Sequence, residues 1–218
     1  MRFGVLGTGV VGQSIAGRLV ELGHETRMGS RQAGNEKAVA WAAEAGDGAS
    51  EGSFADAAEF GEVVVNATAG GASLDALEAA GAENLAGKVL IDVANTLDFS
   101  QGMPPRLSVA NDDSLGEQIQ RTFPEARVVK ALNTVTASVM VRPGPLGEST
   151  NLFICGDDEG AKGQVAEVLQ SFGWALDRVT DIGDISAARG AEMYLPLWLR
   201  IYSTLDTAEF NIGIVRGG

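Results

Sequence analysis

Short apolar runs alternate with stretches of helical periodicity along most of the chain. Phe3–Leu6 is an apolar strand, and beyond it Val11, Ile15, Leu19 and Leu22 recur at helical spacing, predicting a helix from about Val10 to Leu22. Gly23-His24 stops that helix, and Glu25–Met28 reads as the second strand. The region from Gln32 to Phe54 is rich in Ala, Gly and Glu. It predicts a helix over Glu36–Glu44 and then a connection poor in strand character. Glu62–Ala67 and Lys88–Ala94 are dominated by consecutive apolar residues, the pattern of parallel strands covered on both faces. A helix around Ser73–Ala80 separates them, and a helix near Ser114–Thr122 leads to a further strand, Arg127–Leu132. Strands alternating with helices in this order predict an α/β fold: a Rossmann-type, doubly wound parallel sheet with right-handed crossovers.

Pro143-Gly-Pro145 interrupts the alternation and marks the expected boundary. Residues 1–145 then form the dinucleotide-binding domain, and residues 146–218 a small C-terminal α+β cap for the acceptor pocket and dimerisation. The cap holds a strand (Leu152–Cys155), a helix (about Ala161–Phe172), a strand (Ala175–Val179) and a long helical region from about Ile185. Within that region Ala188–Thr204 is apolar nearly all round, which predicts a helix buried in a core or an oligomer interface. Pro196 inside it predicts a kink, and a homodimer is the expected assembly.

The first turn carries chemistry. Gly7-Thr8-Gly9-Val10-Val11-Gly12 is G-x-G-x-x-G placed between a strand and a helix, the context in which the motif means a dinucleotide site. The first glycine permits the turn, the second lets backbone approach a pyrophosphate, and the third lets helix pack against strand. The phosphates would sit on the N–H groups at the helix N-terminus. Some twenty residues later, Gly29-Ser30-Arg31 falls where the fold reads the adenosine ribose. An Asp or Glu there accepts from the 2′-hydroxyl of NAD. Ser30 and Arg31 instead offer donors suited to the 2′-phosphate of NADP(H), and Lys37 adds charge nearby. Ligands in such sheets gather beyond the carboxyl ends of strands, which brings in Ala67, Thr68 and Ala69, Asn95, and Asn133-Thr134. The small side chains among them leave room for ribose and nicotinamide.

Composition narrows the partners. With 29 acidic against 16 basic residues, the net charge is −13 and no basic face for nucleic acid is visible. The most apolar stretch, Tyr194–Leu199, is far short of the roughly 20 residues a membrane span needs. A lone cysteine, Cys155, sits in a strand-like run and reads as a buried structural thiol in a reducing, cytoplasmic setting. No metal-ligating pattern is present.

Dehydrogenases of alcohols and hydroxy acids need a general acid or base beside the substrate carbon. Here the one histidine, His24, falls at a helix-to-strand turn, and no lysine follows Lys162. Chemistry that needs no protein proton donor fits better, such as a hydride passing directly between two stacked redox cofactors. Two other readings stay open: an NADP-dependent reductase of a small imine, ketone or acid using Tyr194 or Glu192, and a noncatalytic NADP-binding sensor.

Taken together, Gly7–Gly12, Gly29-Ser30-Arg31, Lys130-Ala-Leu-Asn133-Thr134, Cys155-Gly-Asp-Asp158 and Glu209-Phe-Asn-Ile-Gly213 make the chain, over essentially its whole length, resemble the NADP oxidoreductases dependent on the deazaflavin coenzyme F420. The fold of that family also supplies the reductase domain of mammalian ferric reductases. The resemblance implies that Thr8, Ser30 and Arg31 bind NADP, and that the loop after Val65 and Asn133-Thr134 line the nicotinamide cleft. It also implies that Ile212 and Gly213 contribute to a pocket for the deazaflavin F420 or a flavin. Two positions depart from the family pattern: Leu6 stands where an additional glycine often precedes the phosphate loop, and Ala67-Thr68 where a proline often follows the fourth strand. The second departure leaves the acceptor open.

Overall fold

The computed structural model describes residues 1–146 and 150–217. It begins with strand β1 (Arg2–Leu6), helix α1 (Val10–Glu21), β2 (Glu25–Ser30), α2 (Glu36–Ala45), β3 (Ala49–Ser53), α3 (Phe54–Phe60) and β4 (Val63–Asn66). Helices α4 (Ser73–Ala80) and α5 (Ala82–Leu85) lead to β5 (Val89–Asp92). A small ribbon, β6 (Leu97–Asp98) with β7 (Arg106–Leu107), precedes α6 (Leu115–Thr122) and β8 (Arg127–Ala131). Then come α7 (Ala137–Val141), β9 (Leu152–Cys155), α8 (Glu159–Phe172), β10 (Val179–Asp181), α9 (Ala188–Met193) and α10 (Leu195–Leu205).

Eight strands form one sheet in the order β10-β9-β8-β5-β4-β1-β2-β3. Neighbours from β3 to β8 are parallel, β9 runs antiparallel to β8, and β10 is parallel to β9. After β1 the chain builds outward to β2 and β3, then returns to place β4 on the other side of β1. That reversal opens a crevice at the carboxyl ends of β1 and β4.

The apolar runs of β4 and β5 are buried because both sheet faces are covered. Phe3, Val5, Val65 and Ile91 face α1, α2, α7 and α8 in one cluster; Leu6, Val64, Leu90 and Val128 face α3, α4 and α6 in the other. The first cluster also takes in Leu152, Ile154, Val165 and Leu169, so sheet and core continue beyond Pro143-Gly-Pro145. Cys155 is buried, and burial pushes its thiol up to about 12, so it is a packing residue.

Helices α3, α5 and α7 and the β6–β7 ribbon were not expected from the sequence, and three expected segments come out differently. β3 lies inside the connection expected to be poor in strand. It is an edge strand, paired to β2 alone, and its sequence Ala-Ser-Glu-Gly-Ser carries no apolar run. Ala175–Val179 is not a strand: Leu176–Arg178 forms a single 3-10 turn and the strand is Val179–Asp181. The expected helix over Ala188–Thr204 is two helices divided at Tyr194, with Pro196 in the first turn of α10, where a missing N–H removes no helical bond. Of α10 only Leu195 is buried within this chain, while Leu197 is 56% and Leu205 54% exposed.

Candidate active site at the carboxyl edge of the sheet

The three glycines of the first turn do three different things. Gly7 has φ +118°, and a Cβ there would lie 2.5 Å from the carbonyl oxygen of Ala67. On Gly12 a Cβ would meet the Gly7 carbonyl oxygen at 2.1 Å. Gly9 has nothing within 4 Å of its Cβ position. The first two are required by the protein's own packing, while the third keeps a space clear. Gly9 N-caps α1 without a side-chain hydrogen bond, and the first turn holds no acidic residue. By contrast α2, α3, α6 and α8 are capped by Asn35, Ser53, Ser114 and Asp158. The open N–H groups over Val10 and Val11 suit an anion. Gln13 Nε2 donates to the Thr8 carbonyl at 3.0 Å and stiffens the loop.

Ser30 ends β2 beside this loop, because Gly7 N–H donates to the Gly29 carbonyl at 2.9 Å. Its buried hydroxyl donates to the Gln32 carbonyl at 2.6 Å, shaping the turn that carries Arg31. Arg31 is exposed and makes no hydrogen bond or ion pair among the described residues. Lys37 is exposed in the first turn of α2. The turn is tied to β3 by Gly34 N–H donating to Glu51 at 2.9 Å, a contact the sequence did not reveal.

A cleft of about 390 Å³ lies over the switch point. Val10, Val11, Ala67, Thr68, Ala69, Asn95, Asn133 and Thr134 all line it, so the structure brings together strand ends far apart in sequence. Leu195 and Trp198 of α10 complete the wall. The sequence reading missed both, although their i, i+3 spacing puts them on one helix face. Three polar atoms of cleft residues, Asn133 Oδ1, Thr134 Oγ1 and Trp198 Nε1, are buried without a hydrogen-bond partner. An acceptor, a hydroxyl and a donor match the two-way hydrogen bonding of a carboxamide such as that of nicotinamide. Leu132, just before them, has φ +62°, a strained conformation for a branched residue that turns the chain out of β8. Among the described residues, none that lines the cleft is ionisable.

Ile212 and Gly213 lie outside the cleft lining. The Ile212 carbonyl accepts from Asn151 N–H at 2.9 Å and Thr150 Oγ1 at 3.2 Å, fastening the tail to the start of β9. Since β9 is antiparallel, that start is at the same sheet edge as the cleft. Phe210 stacks on Trp198 with ring centroids 5.2 Å apart, which links the tail to the cleft wall.

Beneath the cleft is a polar row. Asn66, Asp92 and Lys130 are in register across β4, β5 and β8, all fully buried. Lys130 Nζ is 2.8 Å from Asp92 and 2.9 Å from Glu192 of α9. Burial alone would lower the Lys130 pKa, but the two carboxylates outweigh it and hold it above the ordinary lysine value. Glu192 also accepts from Leu115 N–H at 2.9 Å and Gly116 N–H at 3.1 Å, at the N-terminus of α6. A carboxylate so held is not placed to give a proton to a substrate. The Tyr194 hydroxyl is buried and outside the cleft lining, with its pKa raised by burial. His24 packs on Phe3 at the opposite sheet edge, its pKa lowered by burial and then by the N-terminal charge.

A doubly wound sheet with an uncapped glycine turn and a largely apolar cleft at its switch point is the architecture of dinucleotide-binding domains. Residues 2–96 match the family described as NADP oxidoreductase, coenzyme F420-dependent. A crystal structure from Arthrobacter sp. FB24, provisionally an F420-dependent NADP-reductase, is 52% identical, with a TM-score of 0.93 over 99% of this chain and 100% of its own. The F420-dependent NADP reductase of Methanocaldococcus jannaschii is 28% identical over 144 residues, 65% of this chain and 62% of that one. Rat metalloreductase STEAP3 is 30% identical over 205 residues, 90% of this chain, and the match spans 38% of that relative's length. The chain belongs to the family of F420-dependent NADP oxidoreductases and is an NADP-dependent oxidoreductase. Among the described residues, no helix is long and apolar enough to cross a membrane.

Proposed function

We propose that the protein passes a hydride directly between NADPH and a deazaflavin of the F420 type, or a flavin, both held at the carboxyl edge of the sheet. One observation carries this reading: among the described residues the cleft lining contains no ionisable side chain, so none of them is placed to act as general acid or base. A hydride moving between two bound cofactors needs position and exclusion of water rather than a proton donor. The names of the family and of the methanogen relative favour the deazaflavin.

In this reading the N–H groups above Gly9 hold the pyrophosphate, and Ser30 and Arg31 read the 2′-phosphate with Lys37 in support. Asn133 Oδ1 and Thr134 Oγ1 take the nicotinamide carboxamide. Ala67, Thr68, Ala69 and Asn95 border its ribose. Ile212 and Gly213 stand on the acceptor side, next to the Phe210–Trp198 stack. The exposed apolar side chains of α10, with Ile214 and Val215 of the tail, form the contact of a homodimer.

Anaerobic mixing of the NADPH-saturated protein with oxidised deazaflavin, FMN or FAD tests the reading. Loss of the acceptor's visible absorption at catalytic protein concentration is expected for one of them. NADPH binding with no acceptor bleached contradicts it and favours a binding module. NADPH oxidation only with an imine, ketone or keto acid favours a small-substrate reductase.

A further inference from the structure

The ion network lies under the cleft and touches the base of four of the segments that line it, those after β4, β5 and β8 and the one that follows α9. Asp92 is followed by Val93–Asn95, Lys130 by the turn to Asn133, and Glu192 by Leu195 and Trp198. Asn66 Nδ2 donates to Asp92 Oδ1 at 2.9 Å, and Thr68 Oγ1 donates to Asn66 Oδ1 at 2.7 Å. Further positions of the network are filled by the Ser73 hydroxyl, the Ala94 carbonyl and N–H, and the α6 N–H groups on Glu192.

Such a network is a poor device for stability alone, because well-packed apolar residues of similar volume often do as well. What it supplies is geometry. α10 buries only Leu195 of its own, so the position of Trp198 depends on the Phe210 stack and on how α9 is fastened. That fastening joins the apolar packing of Ala188 against α6 to a set of polar contacts: Glu192 to Lys130 and α6, Asn133 Nδ2 to the Ala191 carbonyl at 3.1 Å, and Arg189 to Glu117 at 2.8 Å. Glu192 is the one contact that reaches the sheet row beneath the cofactor cleft.

We propose that Glu192 is a positioning residue: through Lys130 it locks α9 to the strand row under the cleft and so sets the Leu195–Trp198 wall against the nicotinamide side. The proposal rests on the hydride-transfer reading for its kinetic consequence, but not for its structural one. Without the lock NADPH still binds, because the phosphate loop and Ser30-Arg31 belong to other elements. The wall then moves, and transfer to the acceptor suffers.

The test compares wild type with Glu192→Gln by NADPH titration, amide hydrogen exchange and NADPH-dependent tryptophan fluorescence, using Trp198→Phe to assign the Trp198 signal. Expected are an NADPH Kd within about twofold of wild type and exchange at least tenfold faster over residues 188–205, with β1 and β4 unchanged. The Trp198 response to NADPH should be lost, and acceptor-dependent kcat should fall at least tenfold. If Glu192→Gln does not fold, Asp92→Asn, Lys130→Met and Glu192→Gln combined remove all three buried charges of the network, and the same measurements apply. Faster exchange spread evenly over the chain, or a fully retained Trp198 response, overturns the proposal. Should the wild type reduce neither deazaflavin nor flavin, the proposed function fails while the exchange and fluorescence results still decide the role of Glu192.

Discussion

A Cβ added to Gly12 would stand 2.1 Å from the carbonyl oxygen of Gly7, whereas one added to Gly9 would meet nothing. Two glycines of one motif therefore answer to different demands. Gly12→Ala should destabilise the apo protein by about 1–3 kcal/mol, the range for overpacking a tight site. Gly9→Ala should leave thermal stability near wild type yet weaken NADPH binding at least tenfold, since its methyl group takes the phosphate's space. Thermal melts with and without NADPH separate the two. A destabilised Gly9→Ala apo protein with normal NADPH affinity would show that the open space serves the fold.

Arg31 is exposed and makes no hydrogen bond or ion pair among the described residues. Arg31→Ala should weaken NADPH binding by ~1–3 kcal/mol, the range for a charge-assisted contact, and barely change NADH binding. Titration with both cofactors checks this. Equal losses would remove Arg31 from the phosphate site.

The outward side of α10 carries Leu197 and Leu205, each more than half exposed. Leu197→Asp combined with Leu205→Asp should yield a monomer in sedimentation experiments in which the wild type is a dimer. A wild type already monomeric at micromolar concentration would contradict the assembly.

Glu117 of α6 is held below its ordinary carboxylate pKa of 4.5 chiefly by hydrogen bonds from Arg189, with burial opposing. Its folded pKa is depressed, so its contribution to stability is complete above the unfolded value and is lost as pH falls through the folded one. Glu117→Gln should lower the melting temperature at pH 7, with the gap from wild type closing below about pH 4. Asp113, just before the Ser114 cap of this helix, is held down by Arg121 and titrates in both proteins, so the difference between them isolates Glu117. A gap that stays constant from pH 7 to pH 3 would mean the Arg189 contact is not what stabilises the α6–α9 junction.

Much of this organisation was legible in the sequence. β1, α1 and β2 are marked by an apolar run, a glycine turn and helical spacing. The strand ends at Ala67, Asn95 and Asn133 follow from the rule that parallel strands present their ligand side at one edge. β3 was not legible, because an edge strand of small and polar residues lacks the apolar pattern that betrays a buried one. Trp198 was hidden because its helix, apolar nearly all round, read as one kinked unit buried in a core or an oligomer interface. The Asp92–Lys130 pair was hidden too: the residues are 38 apart, and only strand pairing shows that they share a row. Ile212 and Gly213 were reached through family resemblance, and the chain places them beside β9 at the cleft's edge rather than in its lining.

The central claim is that hydride moves from NADPH to the acceptor with no protein group taking part in proton transfer. Anaerobic turnover of NADPH deuterated at the transferred position of C4, with oxidised deazaflavin as acceptor, tests it most directly by mass spectrometry of the reduced product. The expected result is one deuterium per reduced deazaflavin, carbon-bound and retained in light water, with a rate that varies little across neutral pH. Reduced deazaflavin without the label, or no reduction of deazaflavin or flavin at all by protein saturated with NADPH, would contradict the account.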